Sequence, residues 1–478
     1  MSQKSIISNY FYNLMYQILL VITPLITTPY ISRVLGATGV GTVGYVESIA
    51  SYFALFATFG ISTYGQREIS YVQDSAEKRS IVFWNTKLLS ICTSGVALMA
   101  YLILAFMQDA PVLYLIMSLN ILAITVDITW FFQGLEEFRK IVLRNTIITL
   151  LNVVYLLLVV KSADDIYLYA FGRSFFIVAG NLSLWFQLPK YVQKINFRQL
   201  HPFCDLKVVL SLFVPTIAIQ VYTVLDKTMI GFITRDYAEN GYYEQAMKIT
   251  KVVLTVVTAL GTVMIPRIGF YIEKKEHDEV LRLLYRGYRF VWFMGVPLCL
   301  GLISVAANVI PWFLGPGYDK AVPLLQILSI LIPAIGISNV TGTQYLIPAK
   351  RQQLLTVSVV IGAGINLVMN AILIPRYQAL GAAIASVTAE LIIAVVQLVF
   401  VRKELSPLRV LKEGVGYVVS GGIMAVGVTW MGSFLAPSIA NTAILVSCGA
   451  VIYFTCLIVQ KDEFLLSNIN SLVQKIRK

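Results

Sequence analysis

Two adjacent charges lie in the middle of an apolar stretch of this sequence. Asp226 and Lys227 occur within VYTVLDKTMIGFI, residues 221–233, where nearly every other side chain is compatible with lipid. A charged side chain near the centre of a membrane-spanning helix costs roughly 2.5–3.5 kcal/mol on insertion scales. We therefore expect charges kept at this depth to bind an ion, a ligand or one another.

Polar residues continue at helical spacing along this segment and the next one. They are Thr216, Gln220, Thr223, Lys227 and Thr234 in the first segment, and Glu244, Lys248, Lys251, Thr255, Thr258 and Thr262 in the second. Spacings of three, four and seven residues place side chains on the same face of a helix. Because the rest of both segments is apolar, these faces must contact protein or water rather than lipid.

The predicted polar faces carry surplus positive charge. The candidate cations are Lys227, Lys248, Lys251 and Arg173, and the candidate supporting polar residues are Asp226, Glu244, Gln220, Asn13 and Gln17. Surplus buried positive charge predicts an anionic ligand. Asp226 would then position Lys227 or neutralise its charge while no ligand is bound. The alternative, left open by the sequence, is that Asp226 and Glu244 form buried ion pairs that only fix helix packing, Glu244 with Lys248 for example.

Three further carboxylates fall inside predicted spans and have no obvious neutralising neighbour in the sequence: Asp127, Glu390 and Glu47. A carboxylate that binds an ion on one side of the membrane and releases it on the other is a simple coupling device, so these residues are candidates for coupling to H⁺ or Na⁺. The alternative is a neutral acid bonded to a carbonyl or hydroxyl group. No cofactor or metal site is predicted, since the five cysteines form no CxxC pair and both histidines lie in polar segments.

The elements that must position these residues are membrane-spanning helices. The chain has 478 residues, of which 58% are apolar and only 13% charged, whereas a soluble protein carries roughly 25% charged residues. Apolar runs of about 20 residues predict transmembrane helices. Fourteen are predicted, at 9–33, 43–66, 82–107, 112–134, 142–160, 166–188, 208–234, 242–265, 287–310, 321–346, 354–374, 381–401, 414–435 and 439–460.

The distribution of basic residues predicts the orientation of these spans. The outer loops hold only Arg33, Lys161, Arg235, Lys320 and Arg376, whereas the other Lys and Arg residues between spans lie on the inner side. Both termini are therefore expected to be cytoplasmic. The net charge of +12 reflects this asymmetry rather than nucleic-acid binding. The segment 272–290 and the C-terminal tail are predicted to be amphipathic helices along the inner surface.

The polar segment after span six divides the chain. The predicted domains are an N-lobe at 1–190 with spans one to six, a cytoplasmic linker at 191–206, a C-lobe at 207–405 with spans seven to twelve, and spans thirteen and fourteen with a tail at 406–478. The two lobes repeat each other: GYVE at 44–47 and GYYE at 241–244 both open the second helix of a lobe. Such repeats are typical of transporters with a binding site between halves.

The string GVGTVG at 39–44 matches a dinucleotide-binding fingerprint, GxGxxG. It follows a membrane helix rather than a strand, and no βαβ unit surrounds it, so nucleotide binding is not predicted. We expect its glycines to form the outer turn between spans one and two.

The motifs TPYISRVLG…GVGTVGYVESIASYFALFATFGISTYGQREI, LDKTMIG, GYYEQAMKI and LGTVMIPRI resemble the Wzx-type oligosaccharide flippases of the multidrug/oligosaccharidyl-lipid/polysaccharide exporter superfamily. The resemblance runs through essentially the whole chain. It implies an all-α integral membrane protein with fourteen transmembrane helices, arranged as two six-helix lobes around a central cavity plus two C-terminal helices.

The resemblance also implies a function. The cargo would be an undecaprenyl-diphosphate-linked oligosaccharide repeat unit, for capsule, teichoic acid or a similar surface glycan, moved from the inner to the outer leaflet of the bacterial cytoplasmic membrane by alternating access. Cationic side chains of the cavity would contact the diphosphate or acidic sugars. Lys227, Lys248 and Lys251 lie within the matching motifs, whereas Arg173 is inferred from its depth alone. The expected partners are this lipid-linked cargo, membrane lipids and other glycan-assembly membrane proteins, with no nucleic acid.

Two other functions remain alternatives at this point. A drug or cation antiporter of the same superfamily would favour an acidic, aromatic cavity, whereas the predicted face is basic. A membrane-embedded polysaccharide polymerase would generally need a sizeable outer domain, which the short predicted outer loops do not provide. The sequence therefore favours a transporter over an enzyme.

Overall fold

The protein is built from α-helices, as shown by a computed structural model. The structure describes the backbone of residues 3–108 and 111–467, and the side chains of these residues apart from 3–14, 17, 197, 212, 214–222, 262 and 263. No β-strand occurs in the described ranges. The predicted all-α membrane fold is therefore confirmed.

The helices are, in chain order, α1 Gln3–Thr58, α2 Ile61–Tyr71, α3 Ala76–Phe106, α4 Pro111–Val126, α5 Thr129–Gly134, α6 Phe138–Val159, α7 Ile166–Trp185, α8 Leu206–Thr234, α9 Tyr237–Glu273, α10 His277–Phe313, α11 Ala321–Leu328, α12 Leu331–Ser338, α13 Gln352–Phe400, α14 Pro407–Gly432 and α15 Ile439–Val459. A π-helix, Asn339–Leu346, follows α12 directly.

Two very long helices each consist of two helices joined at a sharp break. The break in α1 is at Gly36 (φ 64°, ψ 178°), and the break in α13 is at Gln378 (φ 52°, ψ −132°). At 1.5 Å per residue, α1 and α13 would extend about 84 Å and about 74 Å if straight, more than twice the roughly 30 Å of a bilayer core. Each is therefore long enough to supply two of the predicted crossings, and each break falls between the two predicted spans.

Ten helical segments of the described chain are long and apolar enough to cross a membrane, including Ile18–Tyr71, which holds most of α1, and Gln352–Phe400, which is α13. This confirms a multi-pass membrane protein. The number of fourteen crossings stays a prediction. The proposed inner-surface helix at 272–290 is wrong, because the chain turns at 274–276 and His277 begins α10, which continues without interruption to Phe313. Most of the predicted tail helix lies outside the described residues.

The chain folds into two compact units. The first comprises Met1–Gly231 and Asp236–Gly241, and the second comprises Phe232–Arg235 and Tyr242–Lys478. In the first unit, apolar side chains of α1, α3, α4, α6 and α7 form one core, and an aromatic core joins α2, α3, α5 and α7. In the second unit, α9, α10, α12 and α13 share one core, and α10, α14 and α15 share another. The predicted lobe boundaries stay a prediction.

Close backbone contact within the first unit explains two glycines of the repeated motifs. A Cβ atom added to Gly41 would lie 1.7 Å from the carbonyl oxygen of Tyr237, and one added to Gly241 would lie 2.0 Å from that of Ala37. The absence of side chains at Gly41 and Gly241 thus allows the start of the second half of α1 to contact the start of α9. The outer turn expected from this string lies instead at Gly36, just before it.

Asp165 fixes the backbone of the predicted outer loop between α6 and α7. Its carboxylate accepts hydrogen bonds from the backbone N–H groups of Lys161 and Ser162, each at 2.8 Å. These bonds lower the pKa of Asp165, because they stabilise its charged form.

Candidate functional site

The Asp226–Lys227 pair lies on α8 in the first unit. Asp226 is 7% exposed, and Lys227 is half-buried. One residue further, the hydroxyl of Thr228 is 2.8 Å from that of Ser48 on α1, so this turn of α8 is held against the second half of α1. The structure therefore buries Asp226 more deeply than Lys227. That Asp226 positions Lys227 stays a prediction.

Glu47 and Arg173 form an ion pair in the first unit. A guanidinium nitrogen of Arg173 is 2.8 Å from Glu47 Oε1, although the residues are 126 positions apart. Arg173 also donates a longer hydrogen bond of 3.4 Å to the Tyr169 hydroxyl. Both charged side chains keep about 30% of their surface exposed. Two residues that the sequence assigned to different roles, ion coupling and cargo binding, are thus direct partners.

Glu244 and Lys248 form the corresponding ion pair in the second unit. The Lys248 ammonium nitrogen is 2.8 Å from Glu244 Oε1, one turn along α9. Glu244 is only 3% exposed, whereas the Lys248 side chain is 32% exposed. The side chain of Lys251, three residues further along α9, is exposed. A buried carboxylate therefore anchors a face on which two lysines remain accessible near the middle of a predicted span.

The two ion pairs occupy equivalent places in the sequence repeat. Glu47 ends GYVE and Glu244 ends GYYE, and each glutamate binds a cation within its own unit. The source of the cation differs: Arg173 comes from α7, whereas Lys248 comes from the same helix as its glutamate. The repeat thus preserves an ion-paired glutamate at the end of its motif, but not the helix that supplies the partner.

Asp127 lies at a break inside the fourth predicted span, between α4 and α5. Its Oδ1 atom accepts hydrogen bonds from the backbone N–H of Thr129 at 2.8 Å and from the Thr129 hydroxyl at 2.5 Å. The carboxylate therefore satisfies a donor that the interrupted helix leaves free. These contacts suit a structural role for Asp127, and its role in ion coupling stays a prediction.

Side chains from α3 and α7 bind the carbonyl groups at the same break. The Lys87 ammonium donates to the backbone oxygens of Thr125 and Asp127, Asn181 donates to Ala123 at 2.8 Å, and the Trp185 indole donates to Val126 at 2.7 Å. Non-helical backbone at membrane depth requires such partners, because no water replaces the lost helical bonds.

Arg144 of α6 completes this cluster. It donates to the Asn181 side-chain oxygen at 2.8 Å and to the Thr129 hydroxyl at 2.9 Å. Lys87 is not among the predicted site residues, although a lysine inside an apolar run is a recognisable signal. Arg144 was counted with the basic residues of the inner side, because it lies close to the start of its predicted span.

Glu390 lies half-buried on α13, next to a cluster of amide and hydroxyl groups in the second unit. One turn before it, the Ser386 hydroxyl is 3.2 Å from that of Tyr243 and accepts a hydrogen bond of 3.4 Å from Asn366. Asn370 in turn donates to Asn366 at 3.0 Å. The sequence did not single out this cluster, since neutral polar residues scattered over two helices have no recognisable pattern.

The remaining predicted polar residues, Asn13, Gln17 and Gln220, lie on α1 and α8, but their side chains lie outside the described residues. Among described residues, no group of three His, Cys, Asp or Glu side chains is placed to hold a metal ion. The predicted cations are divided between the units, with Lys227 and Arg173 in the first and Lys248 and Lys251 in the second. The cavity that they would share stays a prediction.

The fold is that of a known class of membrane transporter. The structure superposes on the lipid II flippase MurJ in an inward closed conformation with a TM-score of 0.73 and 16% identity, covering 95% of this chain and 99% of that one. It also matches a MATE-family multidrug transporter of the MOP superfamily in an inward-facing conformation, with a TM-score of 0.60 and 12% identity over 82% of this chain and 98% of that one. At these identities the likeness shows the fold.

The sequence then shows the family. Residues 6–271 match the family described as polysaccharide biosynthesis protein, and the chain belongs to it. It is 24% identical to a putative O-antigen transporter of Shigella dysenteriae over 78% of this chain and 94% of that protein, and 24% identical to one of Escherichia coli (strain K12) over 79% and 92%. The resemblance to Wzx-type flippases is confirmed, and so is the expectation that the chain is a transporter rather than an enzyme.

Proposed function

We propose that this protein moves an undecaprenyl-diphosphate-linked oligosaccharide repeat unit from the inner to the outer leaflet of the bacterial cytoplasmic membrane by alternating access. Capsule, teichoic acid or a similar surface glycan would be the product. The family and the transporter fold support a flippase of lipid-linked glycans. Multi-pass insertion with both termini in the cytoplasm rests on the distribution of Lys and Arg between the predicted loops.

The observation that carries the proposal is the accessible basic face of α9. Lys248 and Lys251 lie well inside a 37-residue helix whose remaining surface is largely apolar. An ammonium group exposed at this depth must face a water-filled space, because contact with lipid would be strongly unfavourable. A basic wall of a water-filled space suits the phosphates of the proposed cargo.

The same observation separates the proposal from the alternative of a drug or cation antiporter. A cationic cargo would be repelled by exposed lysines, and its binding would improve when their charge is removed. An anionic cargo would bind less well after the same change. Charge removal at α9 therefore gives results of opposite sign for the two functions.

The test is transport by Lys251→Gln and Lys251→Arg variants, with Lys350→Gln as the control. Lys350 is an exposed lysine outside the predicted spans. A charge-assisted bond to phosphate contributes roughly 1.5–3 kcal/mol, so Lys251→Gln should lose about 10- to 100-fold in transport rate, while Lys251→Arg keeps most of it. The readout is delivery of lipid-linked repeat units to the outer leaflet, normalised to membrane abundance. Unchanged transport by Lys251→Gln at normal abundance would contradict the proposal.

A double variant distinguishes cargo binding by Lys248 from a purely structural pair. If Lys248 serves only to neutralise Glu244, the combined change Glu244→Gln and Lys248→Gln should restore both stability and transport, because it removes both buried charges. If Lys248 contacts the cargo, stability should recover but transport should not. The same comparison with Asp226→Asn and Lys227→Gln tests the pair on α8.

We also propose that transport is coupled to H⁺ or Na⁺ through one of the three carboxylates Asp127, Glu390 and Glu47. Glu47 is bound to Arg173, and the Asp127 carboxylate accepts hydrogen bonds from Thr129. Of the single variants Asp127→Asn, Glu390→Gln and Glu47→Gln, one should abolish the dependence of transport on the ion gradient. Gradient-dependent transport by all three variants would place the coupling elsewhere.

A further inference from the structure

The inner ends of α9 and α10 form an arginine-lined cavity that the transport proposal does not use. Arg267 comes from the last turns of α9, and Arg282 and Arg286 come from the first turns of α10. With Phe270 and Tyr271 they line an open cavity of about 790 Å³, and all of the lining residues belong to the second unit. Three guanidinium groups on two antiparallel helices thus face one space.

The charge of this cavity is not balanced by its own walls. Of the side chains that the structure describes, no acidic one lines it. Of its three arginines, Arg282 binds a carboxylate, that of Glu279, with a separation of 2.7 Å. Among the residues that the structure describes, no carboxylate oxygen lies within 4 Å of the guanidinium of Arg267 or Arg286, and both side chains are exposed. An anion would therefore find donors that are not already engaged by protein acids.

A neighbouring cavity of about 800 Å³ shares Arg282 and Arg286 with the α9–α10 cavity. Its lining also includes Asp278, Arg289, Arg409, Glu413 and Glu463. Arg289 lies 3.7 Å and 3.9 Å from the carboxylates of Glu413 and Glu463, and Arg409 lies 3.3 Å from that of Glu413. Glu413 and Glu463 are therefore bound by Arg289 and Arg409 rather than by the two shared arginines.

The depth of the α9–α10 cavity corresponds to the headgroup layer of the inner leaflet. The two predicted spans meet the cytoplasm at residues 265 and 287, so the three arginines lie within about two helical turns of the hydrocarbon boundary. Phe270 is 54% exposed, and the Lys274 ammonium lies 4.4 Å from the centre of its ring. Tyr271 also lines the cavity, and tyrosine is enriched at the membrane–water interface, where its ring contacts both apolar and polar groups.

We propose that the α9–α10 cavity binds the phosphate headgroup of an anionic phospholipid of the inner leaflet. Guanidinium groups bind phosphate through paired hydrogen bonds, and basic pockets at the cytoplasmic ends of membrane helices suit lipid headgroups. The exposed ring of Phe270 provides an apolar contact for the acyl end of the same molecule. A soluble phosphate would use the arginines but not the ring, and this difference identifies a membrane lipid as the ligand.

The test is lipid binding to the purified full-length protein in detergent, measured by native mass spectrometry during titration with phosphatidylglycerol. The variant is Arg267→Gln with Arg286→Gln. The control, Arg402→Gln with Lys403→Gln, removes the same charge from two exposed residues after α13, away from the cavity. We expect the cavity variant to weaken the tightest phosphatidylglycerol binding by at least about 10-fold, and the control to change it less than about 2-fold.

Control ligands distinguish a phospholipid headgroup from other sources of phosphate. Phosphatidylcholine should bind the unaltered protein and the cavity variant equally, and inorganic phosphate at millimolar concentration should displace little phosphatidylglycerol. Equal losses in the cavity variant and the control would show non-specific attraction and overturn the proposal. Full displacement by inorganic phosphate, or a cavity effect seen only with undecaprenyl phosphate, would also overturn it, in favour of a soluble anion or the cargo. Equal thermal unfolding midpoints of the variants in phosphatidylcholine would exclude misfolding as the cause.

Discussion

The ammonium group of Lys87 should be essential for the stability of the first unit. Lys87 is 1% exposed, and it donates to the backbone oxygens of Thr125 and Asp127 where the fourth predicted span is interrupted. It also lies 5.2 Å from the centre of the Trp185 ring. Lys87→Met keeps most of the side-chain volume but removes both donors and the charge, so it tests these interactions with little change in packing.

The expected loss follows from the groups left without partners. Each buried carbonyl that loses its donor costs about 1–3 kcal/mol, which amounts to about 2–6 kcal/mol for the two. The carboxylate of Asp127 also loses a nearby positive charge, which adds to the destabilisation. The variant no longer buries an ammonium group, however, and the avoided cost of burying it opposes these losses. We therefore expect a net destabilisation of about 2–4 kcal/mol.

The measurement is the thermal unfolding midpoint of the purified protein in one detergent, followed by tryptophan fluorescence. Lys78→Met is the matched control, because Lys78 is an exposed lysine near the start of the same helix. A midpoint for Lys87→Met equal to that of the control would refute the reasoning. Adding Asp127→Asn should not rescue Lys87→Met, because the carbonyl groups would still lack donors. Full rescue would show that attraction between the charges, rather than the carbonyl bonds, is the main contribution.

Three other predictions follow from single contacts and from the topology. Trp185→Phe should lower stability by about 1–3 kcal/mol in the same assay, because it removes the indole donor but keeps a ring. Gly41→Ala should lower the free energy of unfolding by about 1–3 kcal/mol or more, because its methyl group would overlap the backbone of Tyr237. Gly95→Ala is the control: a Cβ atom there meets no atom within 4 Å, so stability should stay unchanged or rise by up to about 1 kcal/mol. In a background without native cysteines, Ala163→Cys should react with an impermeant thiol reagent from outside and His277→Cys should not; the reverse labelling pattern would disprove the predicted orientation.

Local and membrane-imposed features of this protein were predictable from the sequence. The bilayer requires long apolar helices, so the all-α membrane fold follows from composition and length alone, and so do the two pairs of helices that meet at Gly36 and Gln378. The Glu244–Lys248 pair was also predictable, because residues four apart on a helix are neighbours whatever the rest of the chain does.

Only the tertiary structure decided the contacts between distant helices. Glu47 and Arg173 were assigned different roles because nothing local indicates that α7 places the guanidinium beside α1. The interruption at Asp127 was likewise read as one continuous span, because its polar backbone groups are satisfied by side chains from α3 and α7. Which polar groups meet depends on how the helices pack, and residues far apart in the chain carry no periodic signal of their pairing. Hydrophobicity thus determined that the chain is a multi-pass membrane protein, and packing determined which charged residues from distant helices are partners.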